Sequence, residues 1–113
     1  MNRGKVIAYN LLVPTLKEHS DMEKIQKLEL MDKISRELED LAKSQTSLLK
    51  KVAQIAAHNI TLGVGLLDEK LPQLEAEADS TLTLMTNLSE AFSAHRDKFF
   101  TENKLAAVVD PTA

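Results

Sequence analysis

The sequence has no cysteine and no tryptophan, and it has only three glycines and three prolines among 113 residues. The lack of cysteine excludes disulfide frameworks, thiolate zinc sites and cysteine nucleophiles. With so few turn-forming and aromatic residues, the composition favours long helices over sheets with many turns. A net charge of −3 gives no excess of lysine and arginine, so we expect no nucleic-acid partner. The composition therefore predicts an all-α protein.

Long apolar runs are also missing. No stretch approaches the ~20 apolar residues of a membrane-spanning helix. The order of basic and then apolar residues at the N-terminus superficially matches a signal peptide, but Asn10 and Pro14 interrupt the apolar run. Acidic residues are interspersed throughout, which does not favour a membrane-surface helix. We therefore expect a cytoplasmic chain whose partners are proteins.

Between Ile34 and Leu66, apolar residues recur at alternating spacings of four and three, which is the pattern of a coiled-coil helix. We name this pattern the first seam and assign Leu38 to heptad position a. Column a then contains Leu38, Gln45, Val52, Asn59 and Leu66. Column d contains Ile34, Leu41, Leu48, Ile55 and Leu62.

Local signals predict the ends of two helices. Ser20–Glu23 matches a capping box, which predicts a first helix over about 21–62. The glycines at 63 and 65 suit a helix C-terminus, and Pro72 suits the first position of a second helix over 72–103. A second seam has its own phase and contains Leu71, Leu74, Ala78, Thr81, Met85, Leu88, Phe92, His95 and Phe99.

Two long amphipathic helices joined by a loop of about eight residues predict an antiparallel helical hairpin over 20–103. If Leu62 lies opposite Leu74, the numbers of paired residues sum to about 136. Residues 1–19 are predicted to be a short apolar arm or helix, which closes the protein's own core or docks on a partner. Residues 104–113 are predicted to be an apolar, partly frayed tail.

The flanks of the first seam favour assembly into a larger bundle. Columns e and g carry mostly small or apolar residues rather than the paired charges of a two-stranded coil, so further helices can approach. The amides of Gln45 and Asn59 in column a have two interpretations. They select register and partner, because a buried amide needs a partner, or they face solvent beside a loosely packed hairpin.

Nothing in the sequence indicates reaction chemistry. His19, His58 and His95 have no second histidine at a spacing that places two metal ligands on one helix face. Neither a phosphate-binding loop nor a Gly-x-Ser-x-Gly elbow occurs. We expect no enzyme activity, no catalytic residues, no metal and no cofactor.

The sequence leaves two functional hypotheses open. The first is a structural or adaptor subunit that assembles through helical packing, as a homo-oligomer or in a hetero-oligomeric complex. The alternative is a chaperone-type module that shields an amphipathic helix of a client protein. In both, the predicted interaction residues are Ile34, Leu38, Leu41, Gln45, Leu48, Val52, Ile55, Asn59, Leu62, Met85, Leu88, Phe92 and Phe99.

Overall fold

The structure, a computed structural model, describes the backbone of residues 2–106 and the side chains of residues 20–106. The described residues form two α-helices, α1 (Asn2–Leu62) and α2 (Gly65–Glu102). No strand occurs in this part of the chain. The predicted all-α helical hairpin is confirmed, because the two long helices pack against each other.

Helix α1 begins earlier than the sequence predicts. Residues 2–19 belong to the same helix as residues 21–62, so Ser20–Glu23 lies inside α1 and not at its start. A capping box serves amide groups that lack a preceding helical turn, and here a preceding turn supplies backbone carbonyls instead. The predicted docking of the side chains in 1–19 and the fraying of 107–113 lie outside the described residues.

The connection between the helices is two residues, Gly63 and Val64, and not the predicted eight. Gly63 has φ 71° and its N–H donates to the carbonyl oxygen of Asn59 at 2.6 Å. Glycine reaches this left-handed conformation without the penalty that a Cβ imposes, so the chain reverses at once. Helix α2 therefore starts at Gly65, and Pro72 lies inside it rather than at its first position.

The shorter turn changes the register of the hairpin. Gln45 contacts Ala78 and Asn59 contacts Asp68, so the numbers of paired residues sum to 123 and 127. The predicted sum of about 136 is wrong. Because α2 begins seven residues before the predicted start, each of its residues lies opposite an earlier part of α1.

The described residues divide into two compact units, one of residues 34–93 and one made of the described residues on either side of that range. In the first unit, the buried side chains are Val52, Leu71, Ala78 and the polar Asn59. The buried side chains described in the second unit are Leu28 and Leu105.

Helix α2 ends in a left-handed residue, Lys104, with φ 53°. The N–H of Lys104 donates to the carbonyl oxygen of Thr101, and the N–H of Leu105 donates to that of Phe100, both at 3.1 Å. These two bonds are those of a Schellman motif, which commonly packs an apolar residue back onto the helix. Leu105 is fully buried, as this motif favours.

Candidate protein-interaction surface

The turn is held by the side chain of one buried amide, Asn59, which is 3% exposed. Its Oδ1 accepts from the N–H of Val64 at 2.8 Å. Its Nδ2 donates to the carbonyl oxygen of Val64 at 3.1 Å and to Oδ1 of Asp68 at 2.8 Å. Asn59 is therefore buried, and the solvent-facing interpretation is wrong for it. Its hydrogen bonds are made within the chain and fix the turn.

Gln45, the second amide of column a, bonds across the hairpin. Its Nε2 donates to the backbone carbonyl oxygen of Ala78 at 2.8 Å, and the contact is partly buried. A carbonyl oxygen inside a helix has a lone pair beyond the one used by the helix, so it accepts this extra bond. Gln45 thus contributes to the register of α1 against α2 within one chain.

The interior of the hairpin in the unit of residues 34–93 uses columns a and e of α1. Column a is buried or half-buried at Leu38, Gln45, Val52 and Asn59. Column e is half-buried at Ser35, Ala42, Leu49 and Ala56. The sequence pattern assigned column e to flanking helices. Its small residues instead admit α2 of the same chain, which leaves column d outside the contact.

Column d of α1 is exposed over most of its length, although it is the most regular apolar column of the sequence. Ile34 is half-buried, whereas Leu41, Leu48, Ile55 and Leu62 are 46%, 43%, 38% and 67% exposed. The aliphatic residues predicted to form the centre of the helical packing thus lie on the outside of the hairpin.

Helix α2 repeats this arrangement when Leu71 is assigned to position a. Its column a is buried or half-buried at Leu71, Ala78, Met85 and Phe92, and Leu82 and Ser89 of its column e are half-buried. Phe99, in the other unit, is also half-buried. The other column of the predicted second seam lies outside the contact between the helices, because its members are exposed: Leu74, Thr81, Leu88 and His95.

The exposed columns of the two helices lie on the same side of the hairpin. Each residue of a helix is rotated by about 100° from the previous one, so column d lies about 60° to one side of column a and column e about 40° to the other. Both helices bury columns a and e, and the two helices are antiparallel. They are therefore related by a twofold axis perpendicular to the plane that contains both helices. This rotation does not exchange the two sides of that plane, so the d columns of both helices lie on the same side.

We name this surface the outer stripe and define it by its exposed aliphatic residues, which are Leu41, Leu48, Ile55, Leu62, Leu74 and Leu88. The opposite side, here called the rear face, carries column b of each helix. It consists mainly of polar and small residues: Glu39, Thr46, Ala53, Ile60, Pro72, Asp79, Thr86 and Ser93. In the unit of residues 34–93, the hairpin thus has one apolar side, the outer stripe, and an opposite side of mainly polar and small residues.

In the other unit, Asp32 of α1 and Arg96 of α2 form an ion pair. Nε of Arg96 donates to Oδ1 of Asp32 at 2.7 Å, and Nη2 donates to Oδ2 at 3.4 Å. Arg96 also contacts Asp97 at 3.2 Å and lies over the ring of Phe100, 5.1 Å from its centroid. The hydrogen bond that Arg96 donates to Asp32 stabilises the charged guanidinium and raises the pKa of Arg96 above its ordinary value. This cluster joins the two helices.

The described residues contain no group of three or more His, Asp or Glu side chains that could hold a metal ion. A cavity of about 110 Å³ lies beside the turn, lined by residues that include Ala56, Asn59, Leu71 and Glu75. Cavities that hold drug-sized ligands start at about 300 Å³.

No helix in the described part is long and apolar enough to cross a membrane.

Comparisons of the chain with protein-family models, with curated proteins and with solved structures gave no match. The outer stripe is therefore interpreted from its own residues.

Proposed function

We propose that this chain is a non-enzymatic structural or adaptor subunit, which assembles with other protein through the outer stripe to form a helical bundle. The observation that supports this proposal is the exposure of the d columns, between 38% and 67% for the six side chains of the stripe. Contiguous exposed apolar surface bordered by polar residues is typical of protein interaction sites.

The energetics favour a partner that brings apolar surface of its own. The six side chains are each about half exposed, so completing their burial contributes roughly 5 to 9 kcal/mol per chain, at about 1.5 to 3 kcal/mol for each fully buried side chain. Association costs about 4 to 15 kcal/mol. A polar partner would leave little net affinity, whereas a partner with a similar apolar column about doubles the favourable contribution.

The experiment compares an aspartate in the stripe with an aspartate on the rear face of the same helix. Leu48→Asp places a charge within the stripe. Ile60→Asp is the matched control, because Ile60 is an apolar residue of α1 that is 85% exposed and lies in column b. Molar mass is measured by light scattering over a dilution series, with circular dichroism and the binding of an apolar dye measured on the same samples.

We expect Leu48→Asp to abolish assembly, or dye binding if the wild-type chain is a helical monomer, while Ile60→Asp leaves both unchanged. A dye-binding monomer would still support an adaptor, and in that form the chaperone-type alternative becomes testable with an amphipathic helical peptide. Assembly that survives Leu48→Asp would contradict the proposal. A well-folded monomer that binds no dye would contradict it as well.

A further inference from the structure

The column beside the outer stripe on α1 carries charges in a symmetric order. Between residues 37 and 51, column g contains Glu37, Ser44 and Lys51, which are all exposed, and it continues with the exposed His58 and Gly65. Glu37 and Lys51 lie seven residues on either side of Ser44, which is about 10 Å along the helix in each direction. In the described part of the chain, neither charged side chain takes part in an ion pair.

When a second copy of α1 is placed antiparallel to the first, the acidic end of this charge pattern faces the basic end of the other copy. A twofold axis that passes by Ser44, perpendicular to α1, exchanges residue 37 with residue 51. The same axis brings Leu41 opposite Leu48 of a second copy, since 41 and 48 are also placed about evenly on either side of 44. One symmetry operation thus matches both the charges and the leucines, as an isologous interface requires.

Resting on the function proposed above, we infer that the occupant of the outer stripe is a second copy of this chain. In this dimer, α1 of one copy lies antiparallel to α1 of the other, with Glu37 of each copy opposite Lys51 of the other. Charges that flank an apolar seam set the partner and the orientation of packed helices. In a parallel arrangement, column g of one copy faces the other flank of the seam on its partner, so Glu37 would not meet Lys51.

A charge-swap experiment tests the pairing. Glu37→Lys and Lys51→Glu each convert two attractive contacts of the symmetric dimer into two repulsive ones, so each should weaken dimerisation about tenfold at low salt. The double variant restores opposite charges and should recover most of the wild-type dissociation constant, measured by sedimentation equilibrium. The matched control swaps Glu39→Lys and Lys50→Glu, exposed charges away from the stripe, and should change dimerisation less than twofold.

Cross-linking tests the orientation, because the chain has no cysteine of its own. Ser44→Cys should give dimers with a short bis-maleimide, since packed helix axes are about 8–10 Å apart. Lys51→Cys should give no dimers, because the two copies of this residue would be about 21 Å apart along the antiparallel helices. Thr46→Cys on the rear face is the control and should also give none.

Three results would overturn the inference: a wild-type chain that stays monomeric at high concentration, a double charge swap that dimerises no better than the single variants, or dimers cross-linked through Lys51→Cys. These results are distinguishable from failure of the proposed function. If dye binding is lost in Leu48→Asp but the wild-type chain is monomeric, the stripe remains an interaction surface and its occupant is a different protein.

Discussion

The two helices end in the same backbone conformation but are supported in different ways. After α1, the left-handed residue is Gly63 with φ 71°, and the buried side-chain amide of Asn59 accepts a hydrogen bond from the N–H of Val64. After α2, the left-handed residue is Lys104 with φ 53°, and the fully buried Leu105 follows it. The first end relies on directional hydrogen bonds, which require one geometry. The second combines the backbone hydrogen bonds of its Schellman motif with the burial of Leu105, and here it accepts a residue with a conformational penalty.

The largest loss of stability is expected from Asn59→Ala, at the turn. This change removes the three hydrogen bonds made by the buried side chain of Asn59, so we expect a loss of about 2 to 3 kcal/mol in the free energy of unfolding. Urea denaturation at one fixed protein concentration measures it. Asn87→Ala, at an exposed position of α2, is the matched control and should change stability by less than about 0.5 kcal/mol. Equal effects at the two positions would show that Asn59 does not hold the turn.

A smaller loss is expected from Gly63→Ala. A Cβ at this position meets no atom within 4 Å, so the cost is conformational and not steric. The left-handed conformation costs a residue with a Cβ about 1 to 2 kcal/mol. Gly65→Ala also meets open space but lies in helical conformation, so it should be neutral or slightly stabilising. Thermal unfolding of both variants checks this, and a stability of Gly63→Ala equal to that of Gly65→Ala would contradict it.

The smallest effect has the opposite sign and comes from the end of α2. Lys104→Gly removes the penalty of a left-handed residue with a side chain, so we expect a gain of about 0.5 to 1 kcal/mol in the free energy of unfolding. Lys98→Gly is the control, because it places glycine in the interior of the same helix and should destabilise by about 1 kcal/mol. A loss of stability in Lys104→Gly would mean that the lysine side chain itself supports this helix end.

The fold class was predictable from the sequence because it depends on periodicity, which α1 displays over many turns. The helix ends were less predictable. Ser20–Glu23 and Pro72 are residues that favour a helix N-terminus, but both lie inside helices. Such residues are compatible with a helix end and do not by themselves require one. The glycine at 63 was interpreted correctly as an end of α1, since few other residues suit a left-handed cap.

The candidate site was predictable in its residues but not in its geometry. Column d carries Leu48 and column e carries Leu49, so both flanks of column a offer apolar side chains. Which flank α2 covers depends on the length of the turn and on the phase of α2, which are not local properties of α1. The expected loop of eight residues therefore led to the error in the register. The ion pair of Asp32 and Arg96 joins residues 64 apart, and no local pattern indicates such a contact.

The two-residue turn has a consequence for how this sequence can change length during evolution. Inserting or deleting one residue in a helix rotates all the following residues of that helix by about 100° around its axis. A turn of only two residues is too short to compensate for that rotation. Such a change would carry exposed leucines into the contact between the helices and bring buried ones out. Tolerated length changes should therefore occur in steps of seven, with matching steps in α1 and α2. Homologous chains, however divergent in sequence, should keep the spacing between their seams and the turn.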